Sequence, residues 1–353
     1  SMLERMRQRS DYRVIVFDRN AEFLERFYDP NQDYLFNPFD ARTIVWSHQS
    51  EPVSAENMAT ALIPDDPKDP FFATAGRALI ADLYERCDTN AEIWEVLTNL
   101  TIDDLKIFLR GGLSARYFES EKTGASVLST VVNQARFYRY LPDGEHYFSF
   151  AQWASGNASQ WLFLPLFENN ADLLKPLYSL LFDLVIQGLL SQEERNIKTA
   201  VVIDELGALQ KLDKLPRLVS EGRKFKSSIV LGTQTQAQIN KVYGEEDTKI
   251  LLQGSATKLI LNCRDDETAE RFAKIIGVQE RLDKTYSRNI TLLPSGSSTV
   301  NESIRETYAV LASELQALPE LTGYLTVSDG TPPAKVKIQP KVYPAKATRF
   351  EKR

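Results

Sequence analysis

The chain has 353 residues, 43% of them hydrophobic, which is enough for one large or two ordinary folded domains. Charged residues make up 25% and the net charge is −6, so a surface that attracts nucleic acid everywhere is excluded and any such contact is local. Two distant cysteines, Cys87 and Cys263, and two histidines, His48 and His146, give neither a disulfide framework nor a zinc-ligand spacing, and point to a reducing compartment.

The opening Ser-Met pair reads as a remnant of tag cleavage, and no signal peptide follows it. The run "LERMRQRS" has the look of a helix end and leads into "YRVIVFD", an apolar strand that ends in an acid, so the chain begins partway through a βα unit. After the turn signals of "FNPFD" the apolar spacing changes. From 54 to 145 it is mostly helical, in runs such as "FFATAGRALIADLYERC" and "ASVLSTVVNQARFYRYL". Roughly 90 residues without a strand exceeds an ordinary crossover, so this segment is expected to be an inserted all-α domain.

Strand and helix then alternate. "SQWLFLPLF", "TAVVID", "SSIVLGTQ" and "ATKLILNC" are separated by helical patterns, which predicts a parallel sheet with helices on both faces. Leu173 to Leu190 is the most apolar long window, but Lys175, Pro176, Asp183 and Gln187 interrupt it, so it reads as a buried helix and not a membrane span. From Gly277 to Thr299 the sequence is polar and turn-rich; "GYLTV" and "AKVKIQ" read as late edge strands, and the tail after Pro340 as loose. The expected organisation is thus a nucleotide-binding domain in two parts, 2–53 and 146–340, around the helical insert at 54–145, with a tail at 341–353.

"TAVVIDELGAL" carries the chemistry: an apolar strand runs into adjacent acids, Asp204 and Glu205. Open α/β sheets place ligands at the carboxyl ends of their strands. An ATPase needs one carboxylate for the water shell of Mg²⁺ and a second to polarise the attacking water, roles that suit Asp204 and Glu205 in turn. Strand ends also carry merely solvated acids, and the residues alone leave both readings open. Gln234, ending the next strand, offers donor and acceptor to a γ-phosphate or its water, or else caps a turn. Arg223, in "SEGRKFK", either complements a helix dipole or reaches across a subunit boundary as an arginine finger. In "ARFYRYL", Arg136 and Arg139 with Phe137, Tyr138 and Tyr140 offer a DNA contact, although aromatics at helical spacing more often fill a core.

The combination of "VVIDELGALQKL", "VSEGRKFKSSIVLGTQTQAQINKVYG" and "TKLILNCRDDETAERFAKIIG" with "VIVFDRNAEFLERFYDP" and "LFNPFDAR" resembles the conjugative type IV coupling proteins, the TraD and TrwB family. The resemblance implies a RecA-like α/β motor, a mostly parallel sheet with helices on both faces, interrupted by an all-α domain. It implies membrane-anchored hexameric ATPases that bind ATP and Mg²⁺, recruit the relaxosome and pump single-stranded DNA into a type IV secretion channel. By position it assigns Asp204 and Glu205 as Walker B acids, Asp204 holding Mg²⁺ through water, Arg223 as the arginine finger and Gln234 as the glutamine of a third motif, while Arg264 lies where either a further phosphate or nucleotide contact or a surface ion pair would form. No G-x-x-x-x-G-K-[ST] occurs in the 353 residues, so the family's phosphate loop is expected upstream of "YRVIVFD". The segment is accordingly expected to be soluble, able to stand as a monomer, and nearly inactive on its own. Two other readings compete: a docking module for relaxosome or effector proteins that contributes nothing to energy use, and a related RecA-like motor of chromosome segregation.

Overall fold

The computed structural model describes residues 2–66, 68–192, 194–288 and 298–353. They form two compact units: Ser1–Gln234, Gln238–Gly254 and Val342–Arg353 in the first, Thr235–Ala237 and Ser255–Lys341 in the second.

The first unit opens with α1 (Met2–Arg7) and is built on five strands, β1 (Tyr12–Arg19), β2 (Tyr34–Leu35), β3 (Leu162–Leu166), β4 (Lys198–Ile203) and β5 (Ser227–Leu231). Their order is β2-β3-β1-β4-β5, and every pairing is parallel. Side chains alternate between the two faces of a strand, and here both faces are covered. Ile15, Phe17, Leu162, Leu164, Val201 and Ile203 enter the larger core, whereas Val14, Val16, Phe163, Ala200 and Val202 enter a smaller one with Leu24 and Phe27 of α2 (Glu22–Phe27). Burial on both sides is why these strands read as unbroken apolar runs instead of alternating ones.

Between β2 and β3 the described residues hold no strand. They fold as α3 (Ala55–Leu62), α4 (Pro70–Arg86), α5 (Asn90–Asn99), α6 (Ile102–Phe108), α7 (Glu121–Ala135) and α8 (Phe150–Ser155). Hydroxyl N-caps fix several starts: Ser54, Thr89, Thr101 and Ser120 each accept from the backbone N–H three residues on. The segment 54–145 is nevertheless no separate core. Met58, Leu79, Val127 and Phe137 belong to the same buried cluster as the sheet residues Phe17 and Leu164. The link is α9 (Ala171–Leu190), which packs against β3 on one side and α3, α7 and α8 on others. The stretch Glu168–Leu190 is long and apolar enough to cross a bilayer, and 78% of its apolar window is buried inside the protein. Also in this unit are α10 (Leu215–Glu221) and, from Gln238 onward, α11 (Gln236–Gly254), which is kinked at Gly244.

The second unit corrects two expectations. β6 (Thr257–Ile260), read as a further strand of the parallel sheet, instead pairs antiparallel with β9 (Thr322–Val327), which also pairs antiparallel with β10 (Ala334–Lys337). A short apolar run announces a strand but not its partner. The polar stretch after Gly277 contains the hairpin β7 (Val278–Arg288) and β8 (Ser298–Tyr308), with residues 289–297 of it outside the described residues. Its two strands are largely polar in sequence and lack the alternation of apolar and polar residues that marks a half-buried strand. α12 (Asp266–Ile276) and α13 (Ala312–Gln316) supply Ala269, Ala273, Ile276 and Leu315 to a small core with Ile260 and Cys263.

The tail is not loose. Tyr343 packs on Phe27 with ring centroids 5.2 Å apart, Phe350 meets Phe167 edge-on at 5.5 Å, and Arg349 pairs with Glu25 at 2.9 Å. These anchors are spaced irregularly along an extended segment, so no period betrays them.

Candidate functional site

The neighbouring strands β1 and β4 each carry an aspartate at the carboxyl end, Asp18 next to last in β1 and Asp204 just past β4. Because Phe17 pairs with Ile203, Asp18 and Asp204 leave the carboxyl edge of the sheet side by side. Their surroundings separate their roles. Asp18 is fully buried, and its Oδ2 accepts from the Leu24 N–H at 2.7 Å, tying the start of α2 to the sheet. Burial pushes its carboxyl up to about 7, against the pull of the α2 N–H groups and with help from the Asp204 charge.

Asp204 reaches solvent at the strand tip. Desolvation by the surrounding strand ends and the charge of Glu22 raise its carboxyl above the ordinary range, while Arg19 opposes the rise. Glu205 turns inward and is 7% exposed, and its Oε1 is buried with no hydrogen-bond partner. It faces a cavity of about 190 Å³ lined by Arg19, Glu168, Lys175, Glu205, Gly207 and Gln238 among others. Arg19, the last residue of β1, reaches Glu168 through Nη2 at 2.5 Å and also feels the charges of Glu205 and Asp204. Burial lowers the Lys175 ammonium below its ordinary range. Reading the sequence missed both cations as site residues. The signals were present: Arg19 follows the strand-ending Asp18 directly, and Lys175 breaks the apolar window of α9.

Gln234 comes to the same edge. β4 and β5 are neighbours in register, Ile203 opposite Leu231. Beyond them Gly232 N donates to the Ile203 carbonyl at 2.8 Å, and Leu206 N donates to the Gly232 carbonyl at 2.9 Å, which locks the two exit loops together. Two residues later Gln234 is exposed. Arg223 lies elsewhere: its turn precedes β5, at the amino edge of the sheet. A five-residue strand separates the two edges by about 17 Å, so Arg223 does not join the acids of its own chain. Arg264 is exposed in the second unit, just ahead of α12.

In "ARFYRYL", Phe137 and Tyr138 are buried, and the Tyr138 hydroxyl donates to that of Tyr84 at 2.8 Å, so neither ring is available to stack on a base. Arg136 and Arg139 remain exposed.

Residues 1–339 match the family model described as the type IV secretion-system coupling protein DNA-binding domain. The chain belongs to this coupling protein family. Coupling protein TraD of Escherichia coli strain K12 is 33% identical over 368 residues, covering 98% of this chain and 51% of TraD, so the chain spans about half the length of that relative. Among solved structures, the unbound monoclinic form of the bacterial conjugative coupling protein TrwBdeltaN70 is 26% identical with a TM-score of 0.83, over 96% of this chain and 81% of that one. TrwB in complex with ADP and Mg²⁺ is 26% identical with a TM-score of 0.82, over 97% and 82%. VirB4 of Thermoanaerobacter pseudethanolicus shares the fold alone, at 13% identity and a TM-score of 0.57 over 96% and 85%. The mostly parallel sheet of this coupling protein agrees with the RecA-like α/β class expected from its sequence.

Proposed function

We propose that this chain supplies the carboxylate and glutamine side of the ATP site in a conjugative coupling protein, an ATP-driven single-stranded DNA translocase that links the relaxosome to a type IV secretion channel. The observation that carries the reading is Glu205: a nearly buried carboxylate with a free Oε1, next to Asp204 and beside the loop that carries Gln234. Buried polar atoms in native proteins are nearly always satisfied, so an orphan facing a cavity points to a ligand.

The residues fit Mg²⁺-ATP. Magnesium keeps most of its water and takes one or two carboxylates besides phosphate oxygens, and the exposure of Asp204 at the strand tip supports reading it as the residue that would hold that water shell. Glu205 takes up hydrogen-bonding and proton traffic from the attacking water, and Gln234 orients it with one donor and one acceptor. Mg²⁺ neutralises phosphate charge when bound. The phosphate-cradling loop is not among these 353 residues. Arg223, a strand's length away from its own acids, is read as acting on the site of a neighbouring copy, which supports a ring such as a homo-hexamer. TrwB complexes with ADP, Mg²⁺ and the ATP analogue ADPNP support the nucleotide class. Anchoring at the inner membrane, with this segment on the cytoplasmic side, belongs to the same reading. The organisation into a motor core around residues 54–145 and a nucleotide contact from Arg264 are also part of it.

The test is DNA-stimulated ATP hydrolysis by the coupling protein that contains these residues. Asp204→Ala and Arg223→Ala are each expected to silence it, Arg223→Ala by about 10³ to 10⁵. Mixing the two inactive variants is expected to restore part of the rate, because some interfaces then pair an intact acid with an intact arginine. Activity that survives either substitution, or mixtures that stay silent, overturns the reading.

A further inference from the structure

Two arginines, Arg13 and Arg195, are buried at 0% and 1% exposure beneath the amino edge of the sheet, and neither forms an ion pair among the described residues. Carbonyl oxygens solvate them instead. Arg13 donates through Nη2 to the Ala154 carbonyl at 2.6 Å, through Nη1 to the Ala158 carbonyl at 3.1 Å and to that of Trp153, and through Nε to Thr199 Oγ1 at 2.9 Å. Arg195 donates to the same Ala154 oxygen at 2.6 Å, to the Leu189 carbonyl at 2.9 Å and to the Phe225 carbonyl. Trp153, Ala154 and Leu189 belong to the last turns of α8 and α9, whose free carbonyls and negative dipole ends suit a cation.

The Phe225 carbonyl belongs to the turn that carries Arg223. That turn is tight: Phe225 N and Ser227 N both donate to the Gly222 carbonyl, and Lys226 sits in the left-handed region at φ 50°. Lys226 Nζ in turn donates to the Arg195 carbonyl. The side chain of each residue therefore grips the other's segment, Arg195 the backbone at Phe225 and Lys226 the backbone at Arg195. The Arg223 carbonyl accepts from Lys226 N at 3.2 Å, while its exposed guanidinium has no hydrogen bond or ion pair among the described residues, so its place is set by the backbone of the turn.

We propose that Arg195 is a positioning residue for Arg223: it anchors the 222–227 turn to the ends of α8 and α9, so that the Arg223 guanidinium is presented at a fixed height above the amino edge. This rests on the reading of Arg223 as an arginine finger. Placement errors of about 1 Å in such a group cost on the order of 10²-fold in rate, which is what a rigid support prevents.

The experiment has two arms. In the first, amide hydrogen exchange is measured on the 353-residue chain for the parent and Arg195→Met. Exchange at Phe225, Lys226 and Ser227 is expected to rise at least tenfold while the amides of β4 keep their protection. Unchanged exchange at the turn, or a rise spread evenly over the sheet, overturns the proposal. In the second, in the hydrolysis assay above, Arg195→Met is expected to lower kcat at least tenfold with KM unchanged, to lose no more in the Arg223→Ala background, and to recover in part as Arg195→Lys. Losses that multiply in the double variant overturn the positioning role. Lys226→Met removes only the reciprocal bond and carries both arms if Arg195→Met does not fold. Hydrolysis that survives Arg223→Ala would remove the finger reading and leave the exchange result standing, so the two failures are distinguishable.

Discussion

Gly232 and Asp204 meet so closely that a Cβ on Gly232 would stand 2.0 Å from the Asp204 carbonyl oxygen. Only glycine permits this approach, and the approach is what lets the loop after β5 bond to the loop after β4. Gly232→Ala is expected to push the two loops apart and to lower ATP turnover about 10²-fold, with a much smaller loss of thermal stability. Turnover and Tm measured together check this; equal and proportionate losses would mean that the loops serve stability alone.

Glu205→Gln keeps the shape of the side chain and removes the carboxylate proposed as the base. Nucleotide binding is expected to persist while hydrolysis falls about 10²- to 10⁴-fold, read by an ATP-analogue titration beside steady-state turnover. Loss of binding of the same size would assign Glu205 to holding nucleotide instead.

Asp183, buried in the middle of α9, gives a pH prediction. Its Oδ1 has no partner, Lys214 Nζ stays 3.9 Å from the carboxylate, and burial pushes the group up to about 7. The unfolded carboxyl titrates near 3.9. Between those values the folded state holds the extra proton, so this group's contribution to stability falls as pH rises and levels off above the folded value. Asp183→Asn carries no such charge. The Tm of the variant minus that of the parent is expected to grow from pH 4 to pH 8, and a constant difference would refute the buried-charge account.

Removing Val342–Arg353 strips the Tyr343–Phe27 and Phe350–Phe167 contacts, each contributing about 0.5–1.5 kcal/mol beyond its buried area. A fall in Tm of at least ~4 °C is expected by calorimetry. An unchanged Tm would mean that the tail only decorates the surface.

Phe137→Ala opens a hole in the main core and is expected to cost about 3–5 kcal/mol in denaturant unfolding. Arg136→Ala with Arg139→Ala should leave stability nearly unchanged, and their effect on single-strand affinity isolates whatever this face contributes to DNA binding.

Much of the first unit was legible because its signals are local. β1, β3 and β4 are apolar runs buried on both faces, β5 is a short apolar run that is partly buried, and α9 is an apolar window of helical length; those patterns depend only on which side chains shun water. The acids at the tip of β4 and the glutamine after β5 were legible for the same reason, since strand ends can be read off the runs themselves. β6 was misassigned and the β7–β8 hairpin missed because pairing is a relation between distant segments, which leaves little trace in the apolar period of either. Residues 54–145 read as a domain of their own because helical spacing says nothing about which core a helix joins.

The order of residues by itself determined the strand that runs into Asp204 and Glu205, the glutamine that follows its neighbour, and the parallel sheet covered by helices, because each follows from how short segments bury their apolar atoms; the RecA-like class came from the resemblance to the coupling proteins. The tertiary structure alone decided that Glu205 turns inward with an unsatisfied oxygen, that Arg19 and Lys175 share its cavity, and that Arg223 stands at the opposite edge on a turn held by Arg195. Those facts depend on the order of parallel strands and on distances across the sheet, and both are fixed only when the whole chain packs.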